Sequence, residues 1–365
     1  MEREISMKSE VSAVLGAPRR IVLKEFPIPQ IGEDEFLLRV DLVTICGGDP
    51  IEYEGRNVKT RFPLILGHEV VGTIVEIGAV AAQRYRVKAG DRVNVEPYIL
   101  CGHCKPCLTG YYQFCENSRI YGVNVTCDTP PYLWGAYGQY MYGAPGSKVH
   151  KLGSDVPLEA GVMASVLGNG VRWIRTLGRV RFGESVVVLG PGAQGLVTVI
   201  AAREAGAAPI VVVGQTRNPQ KWELAREFGA THIVDMTVTR DPVSEVRSIL
   251  GGDLADVAVE CTGAAQIMQL GLELTRPVGR YVLAGTCGYD KVPLVTDMIV
   301  FKELQVLGGL GQSWDTEEAV KIINSRRYAL EKLITHVFPL AQASEAMRFF
   351  ISNRAEAIKV AIKPW

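Results

Sequence analysis

A buried strand that runs directly into a glycine turn and then a helix is the feature that most narrows what this chain can fold into. Residues 186–195 read Val-Val-Val-Leu-Gly-Pro-Gly-Ala-Gln-Gly, a G-x-G-x-x-G pattern. Gly190 suits the tight turn, Gly192 lets backbone approach a pyrophosphate, and Gly195 allows close packing of helix on strand. The helix that follows, with Gln194 in its first turn, offers free N–H groups and a positive dipole end to phosphate. Among 38 glycines a triple match alone means little, but between a strand and a helix it predicts a dinucleotide-binding unit.

The residues around this turn alternate in the same style. Runs at 185–189 and 209–213 are rich in β-branched residues without polar alternation, as expected of strands buried on both faces, and runs at 256–260 and 280–284 continue the series of strands. Helical periodicity at 194–205 and 219–228 separates them, so a doubly wound parallel sheet is expected. The first 150 residues differ: short apolar or alternating runs at 21–24, 35–44, 69–77 and 92–95 are punctuated by Gly and Pro. They predict an antiparallel, barrel-like β domain with long loops. Residues 154–176 read as a helical passage starting at Asp155-Val-Pro-Leu-Glu159. Near the C-terminus a strand at 333–338, a helix at 341–353 and a strand at 357–362 are expected, the last returning to one of the sheets.

The second strand of the parallel sheet bears on the cofactor. It ends Val211-Val-Val-Gly214-Gln215-Thr216-Arg217-Asn218, with no acid where a carboxylate would receive the ribose hydroxyls. Without that carboxylate nothing repels a 2′-phosphate, and Arg217 is able to pair with one, so NADP is favoured over NAD. Thr216 and Arg217 join Gly190, Gly192, Gln194 and Gly195 as candidate cofactor residues. The alternative for Arg217 is a solvated residue at the start of a helix.

Half of the eight cysteines fall in one run, Cys101-Gly-His-Cys104-Lys-Pro-Cys107 followed by Cys115. Two-residue loops let neighbouring thiolates converge on one ion, and four thiolates close a tetrahedral zinc shell with no open position. Such a site is structural; the same spacing could also hold an iron–sulfur cluster. Cys127, Cys261 and Cys287 have no partner pattern and are expected to pack, and His103 lies outside a shell that four thiolates fill.

Composition excludes several classes. At 365 residues there is room for two domains, and 47% apolar with 21% charged residues is that of a globular protein with a substantial core. Lys plus Arg and Asp plus Glu both total 39, which gives no electrostatic reason to expect nucleic acid or an anionic membrane as partner. The charged start, Met1-Glu-Arg-Glu-Ile-Ser, lacks the apolar stretch of a secretory signal. No apolar run reaches the ~20 residues of a spanning helix. Clustered thiols without a signal point to metal in a reducing compartment, and the cytoplasm is expected.

Two further segments precede the cysteine run, Cys46-Gly-Gly-Asp49 and Gly67-His68-Glu69-Val-Val-Gly72. With the cysteine run and the glycine turn, in this order, they make the chain resemble the zinc-containing medium-chain alcohol and polyol dehydrogenases over essentially its whole length. That resemblance implies an α/β fold with two parts. A chaperonin-10-like β-barrel catalytic domain would span 1–155, completed by 325–365. A Rossmann domain would span 156–324, with the active site in the cleft between. It also implies a small-molecule alcohol or carbonyl substrate and a homodimer or homotetramer. Cys46 and His68 would bind a second, catalytic zinc with an open position, Glu69 would lie behind the metal, and Asp49 would orient the ligand shell. Asn169 would approach the nicotinamide, while Tyr53, Tyr121 and Trp134 would either wall an apolar substrate site or simply pack.

The chain departs from the family pattern at three places. Ser165 stands where a third zinc ligand, Cys or Glu, is usual; Gly48 replaces the relay hydroxyl; and Ile51 replaces a frequent His. A neutral serine hydroxyl is a poor zinc ligand beside thiolate or carboxylate. Three functions remain open. In the first, an alcohol and its aldehyde or ketone are interconverted on a zinc held by Cys46, His68 and a carboxylate, Glu69 or Asp49. The second is an NADPH-dependent reductase of a conjugated C=C bond or unusual carbonyl without catalytic zinc. The third is a cofactor-binding protein that has lost catalysis. The first is the expectation carried forward.

Overall fold

The computed structural model describes residues 9–57 and 60–365; the charged N-terminal segment read above lies outside them. Backbone packing divides the chain into one unit that ends at Ser165 and resumes over Val320–Trp365, and a second unit, Val166–Ala319.

The first unit is built on the strand Phe36–Thr44, buried at every position except Arg39. Its run of Leu and Val leaves no solvent face, and it pairs antiparallel with Glu69–Ile77, with Thr44 opposite Glu69. Glu69–Ile77 pairs onward with Arg92–Val95, which pairs with Val149–Lys151. On its other edge Phe36–Thr44 takes the C-terminal strand Lys359–Lys363, itself parallel to Ile334–Pro339. Tyr140–Gly143 completes a sheet of seven, and the hairpin Ser9–Ala17 and Arg20–Pro27 with Leu64–Ile65 forms a second of three. Phe36, Leu38, Leu64, Ile65, Tyr137 and Met141 pack between them. Fully burying each such side chain contributes about 1.5–3 kcal/mol. The C-terminal strand sets Lys359 beside residues 44–46, because the N–H of Ile45 donates to the Val360 carbonyl at 2.9 Å.

The second unit is a six-stranded sheet, parallel throughout. Its spatial order is His232–Asp235, Ile210–Gly214, Val186–Leu189, Ala255–Glu260, Thr275–Leu283, Gln305–Gly308. In chain order that is 3-2-1-4-5-6, the Rossmann arrangement, whose switch point lies between Val186–Leu189 and Ala255–Glu260. Every residue of Val186–Leu189 and Ile210–Gly214 is buried, as the unalternating β-branched runs predict. Helices Ala193–Glu204 and Pro219–Phe228 follow the first two strands. The second helix starts with Asn218 as cap, its side chain accepting from the N–H of Gln220, and ends at Gly229 with φ +123°.

The helical passage at 154–176 is not one helix. It divides into Leu158–Gly161, Ala164–Val171 and a π-helical turn, Arg172–Leu177. Pro157 has no N–H and caps the start, which delays it beyond Asp155. The π turn is fixed by packing: the N–H of Gly178 reaches the Trp173 carbonyl, while the Trp173 indole N–H donates to the Gly309 carbonyl at 3.0 Å. Among the described residues no helix is long and apolar enough to cross a membrane.

Candidate active site

The two strands at the centre of the first unit deliver the metal-ligand candidates to one end of the barrel. Cys46 follows Phe36–Thr44 and His68 precedes Glu69–Ile77, and the register that sets Thr44 opposite Glu69 brings their ends together. The turn after Cys46 is closed by Asp49. Its Oδ2 accepts the Cys46 N–H at 2.9 Å, and the Asp49 N–H donates back to the Cys46 carbonyl. The N–H of Gly48 points at the Cys46 sulfur, 3.5 Å away.

Asp49 is fully buried and faces His68, its Oδ1 standing 3.7 Å from His68 Nδ1. Both atoms are buried and hydrogen-bonded to nothing. Asp49 Oδ2 also accepts the hydroxyl of Tyr137 at 3.0 Å. Glu69 is held from behind: its Oε2 meets Lys359 Nζ at 2.5 Å and the Thr44 hydroxyl at 2.6 Å, while the same ammonium donates to the Ile45 carbonyl. Burial opposes the Glu69 charge, yet Lys359, with help from His68 and Thr44, keeps its carboxyl below the ordinary value. Burial, with the Glu69 and Asp49 carboxylates, pushes the Cys46 thiol well up. Burial also raises Asp49, against the pull of His68 and the Cys46 N–H.

Ser165 is buried in the same unit, and its hydroxyl faces Asn94 Oδ1 at 3.5 Å. Asn94 is anchored in turn by donating to the Val70 carbonyl. A methyl group built on Gly48 would meet only the Cys46 sulfur, at 3.9 Å, so space remains where a relay hydroxyl would stand.

The four cysteines of the run do converge. Their sulfurs all lie within 4.8 Å of one another, and no other cluster of three or more potential Cys, His or carboxylate ligands forms among the described residues. Cys101 and Cys107 sulfurs are 4.0 Å apart, and those of Cys104 and Cys115 3.9 Å. A tetrahedron of Zn–S bonds near 2.3 Å has edges of about 3.8 Å, so the fit to zinc is close. Backbone N–H groups of Cys101 and Cys104 point at Cys115 and Cys101 sulfurs, as thiolates require. His103 is exposed and stays out of the shell. The lobe is tied down by the buried Glu96, which accepts the Tyr112 hydroxyl on one oxygen and meets His150 Nε2 on the other, both at 2.6 Å. All eight cysteines are free thiols.

In the second unit the glycine turn sits at the carboxyl end of the switch-point strands. Gly190 has φ +106°, and a Cβ there would lie 2.5 Å from Thr262. A Cβ on Gly195 would fall 1.8 Å from the Gly190 carbonyl, so the helix approaches the turn as closely as backbone allows. Gly192, by contrast, faces open space and caps the helix Ala193–Glu204 without any side-chain bond. Uncapped N–H groups over an open glycine are what a pyrophosphate needs. Gln194 Oε1 and Asn169 Oδ1 are buried without partners nearby. At the end of the second strand Gln215 and Arg217 are exposed, and Thr216 accepts the Asn218 N–H at 3.0 Å.

Several contributors carry no motif. Tyr137 and Lys359 reach the Cys46 site from distant segments. Glu260 shapes the loop beside the glycine turn, its Oε1 accepting the N–H groups of Thr262 and Gly263. Cys261 is a packed residue whose thiol burial pushes up, near the Thr198 hydroxyl. Tyr53, Tyr121 and Trp134 belong to the barrel core, and each hydroxyl or indole N–H has a partner there.

Comparison with known proteins identifies the family. Residues 32–154 match the alcohol dehydrogenase GroES-like domain, and residues 193–325 match the zinc-binding dehydrogenase domain. A Mycobacterium tuberculosis protein named as an alcohol dehydrogenase is 39% identical over 349 residues, covering 93% of this chain and 94% of its own. The crystal structure of an alcohol dehydrogenase from Thermotoga maritima superposes with TM-score 0.88 at 29% identity, over 98% of this chain and 100% of that one. A zinc-binding dehydrogenase structure from Sinorhizobium meliloti 1021, bound to NADP, has TM-score 0.84 at 27% identity, over 98% and 100% of the two chains.

Proposed function

Because the chain belongs to the zinc-containing medium-chain alcohol dehydrogenases, enzymes of NAD(P)-dependent alcohol and carbonyl oxidoreduction, we propose a specific division of labour among its residues. Cys46 and His68, with the Glu69 carboxylate at hand, hold a catalytic zinc, and Cys101, Cys104, Cys107 and Cys115 hold a structural one. Gly190, Gly192, Gln194 and Gly195 bind the pyrophosphate, Asn169 the nicotinamide, and Thr216 and Arg217 the 2′-phosphate of NADP. The eight free thiols suit a reducing compartment such as the cytoplasm.

One observation carries the catalytic assignment. Beside the Cys46 thiol, two buried atoms, Asp49 Oδ1 and His68 Nδ1, stand 3.7 Å apart without a partner. Around them burial raises both the Cys46 thiol and the Asp49 carboxyl, and a divalent ion would supply the positive charge that stabilises their ionised forms. A zinc held there would supply Lewis-acid polarisation of a substrate oxygen, and a nicotinamide held at the glycine turn would supply the hydride chemistry. The chain's own groups do the rest. Asp49 Oδ1, 3.7 Å from His68 Nδ1, is placed to orient the ring so that Nε2 would be the nitrogen that ligates. Lys359 and Thr44 fix Glu69, and the open space over Gly48 admits the water or second substrate hydroxyl that carries away the alcohol proton.

NADP over NAD rests on the absence of an acid from 215 to 222 and the exposed Arg217, and the NADP-bound Sinorhizobium meliloti relative is in keeping with it. A second reading, NADPH-dependent reduction of a conjugated C=C bond without catalytic zinc, draws on Ser165, whose hydroxyl is turned to Asn94. Activity separates the two. Cys46→Ala and His68→Ala are each expected to lower oxidation of secondary alcohols by about a hundredfold or more, since metal polarisation is worth several kcal/mol. Unchanged alcohol oxidation in both variants would overturn the zinc assignment, and activity on enals alone would favour the second reading.

A further inference from the structure

We infer that Tyr137 is a positioning residue for the catalytic metal: its phenol locks Asp49 so that the carboxylate's remaining oxygen is presented to His68. This rests on the proposed Cys46/His68 site and names a residue outside its ligand set.

Tyr137 touches both arms of that site. Its main chain is bound to the arm that carries His68, the Tyr137 N–H donating to the Leu66 carbonyl at 2.8 Å and the Ala136 N–H to the Gly67 carbonyl at 2.9 Å. Its ring covers Gly67, where an added Cβ would lie 2.4 Å from the ring edge. A residue with a side chain at 67 would therefore displace the ring, and φ +91° there also favours glycine. From this fixed ring the hydroxyl reaches the other arm and donates to Asp49 Oδ2 at 3.0 Å. The same oxygen accepts the Cys46 N–H, so one carboxylate oxygen gathers both the turn that carries Cys46 and the phenol seated on the His68 arm.

With Oδ2 occupied by two donors, Asp49 keeps a single rotamer, and Oδ1 is the oxygen left facing His68 Nδ1. Tyr137 and Asp49 are both fully buried, so no water competes for these bonds. Phenylalanine would fill the same space over Gly67 but leave Asp49 Oδ2 held by the Cys46 N–H alone, with its rotamer less firmly fixed. The hydroxyl, and not the ring, is the functional part.

Chelator competition tests this, with the four-cysteine zinc as an internal measure of folding. In Tyr137→Phe the Cys46/His68 zinc is expected to bind about tenfold more weakly, the lower end for groups that orient a ligand from behind. The four-cysteine zinc and the melting temperature of the metal-loaded protein should stay near wild type. In an Asp49→Asn background the same change is expected to add nothing, because the phenol acts through the carboxylate. Unaltered affinity in Tyr137→Phe, or a full further loss in the Asp49→Asn background, would overturn the inference while Cys46→Ala still removed the zinc. Retention of that zinc in Cys46→Ala would instead overturn the site on which both readings stand.

Discussion

Two side chains show how burial and charge act residue by residue. Glu10 is 1% exposed, and burial pushes its carboxyl up to about 7, against the bonds it accepts from Ser12, Tyr140 and Gln139. The folded state therefore holds a proton that the unfolded chain has released. This group's contribution is complete below the unfolded value near 4.5 and is lost as pH rises through about 7. At pH 8 the cost is about 3 kcal/mol. Glu10→Gln keeps one oxygen to accept the Gln139 and Tyr140 N–H groups, turns its amide N–H to the Ser12 hydroxyl and removes the charge, so urea unfolding should show the variant gaining on wild type by roughly that amount between pH 5 and pH 8. A difference independent of pH would contradict the assignment. Arg217 is the counterpart at the surface. Arg217→Ala should weaken NADP by about tenfold or more, the size of a lost charge-assisted bond, and leave NAD nearly unchanged in fluorescence titrations. Equal loss for both cofactors would remove the 2′-phosphate from its account.

At the level of elements, the turn 190–195 is the least forgiving. Gly195→Ala sets a methyl group 1.8 Å from the Gly190 carbonyl, so the helix must retreat and carry its N–H groups with it. Nicotinamide cofactor affinity should fall by roughly tenfold or more, in line with the 1–3 kcal/mol of overpacking; normal affinity would mean the helix end does not hold the pyrophosphate. This turn was legible in the sequence because its parts are local: a β-branched strand, three glycines and a helix within one stretch. The same holds for the strands at 36–44 and 69–77 and for the cysteine run. The passage at 154–176 was less legible, since periodicity records an apolar face but not the Pro157 start or the Trp173–Gly309 bond that draws its last turn into a π-helix. Tyr137 was not legible at all: it lies 88 residues from Asp49 and belongs to no spaced pattern. Lys359, which meets Glu69 through a strand pairing at the far end of the chain, is the same case.

The molecule as a whole assigns its chemistry to two separately built units. One is the β unit that carries the four-cysteine cluster and the Cys46–His68 pair, and the other is a Rossmann sheet that carries the glycine turn. Its 39 basic and 39 acidic residues balance, so net charge gives no drive toward a polyanionic partner. The two proposed metal sites differ in kind. The cysteine lobe has four sulfurs already in place, whereas Cys46 and His68 stand among buried carboxylates whose charge an ion would balance. Metal content is therefore the most direct test of the central claim. Elemental analysis of purified wild type should give two zinc ions per chain, and Cys46→Ala should give one, with alcohol oxidation lost in the same sample. One zinc in the wild type, retained in Cys46→Ala and released by Cys104→Ser, would contradict the claim that this chain oxidises alcohols on a zinc held by Cys46 and His68.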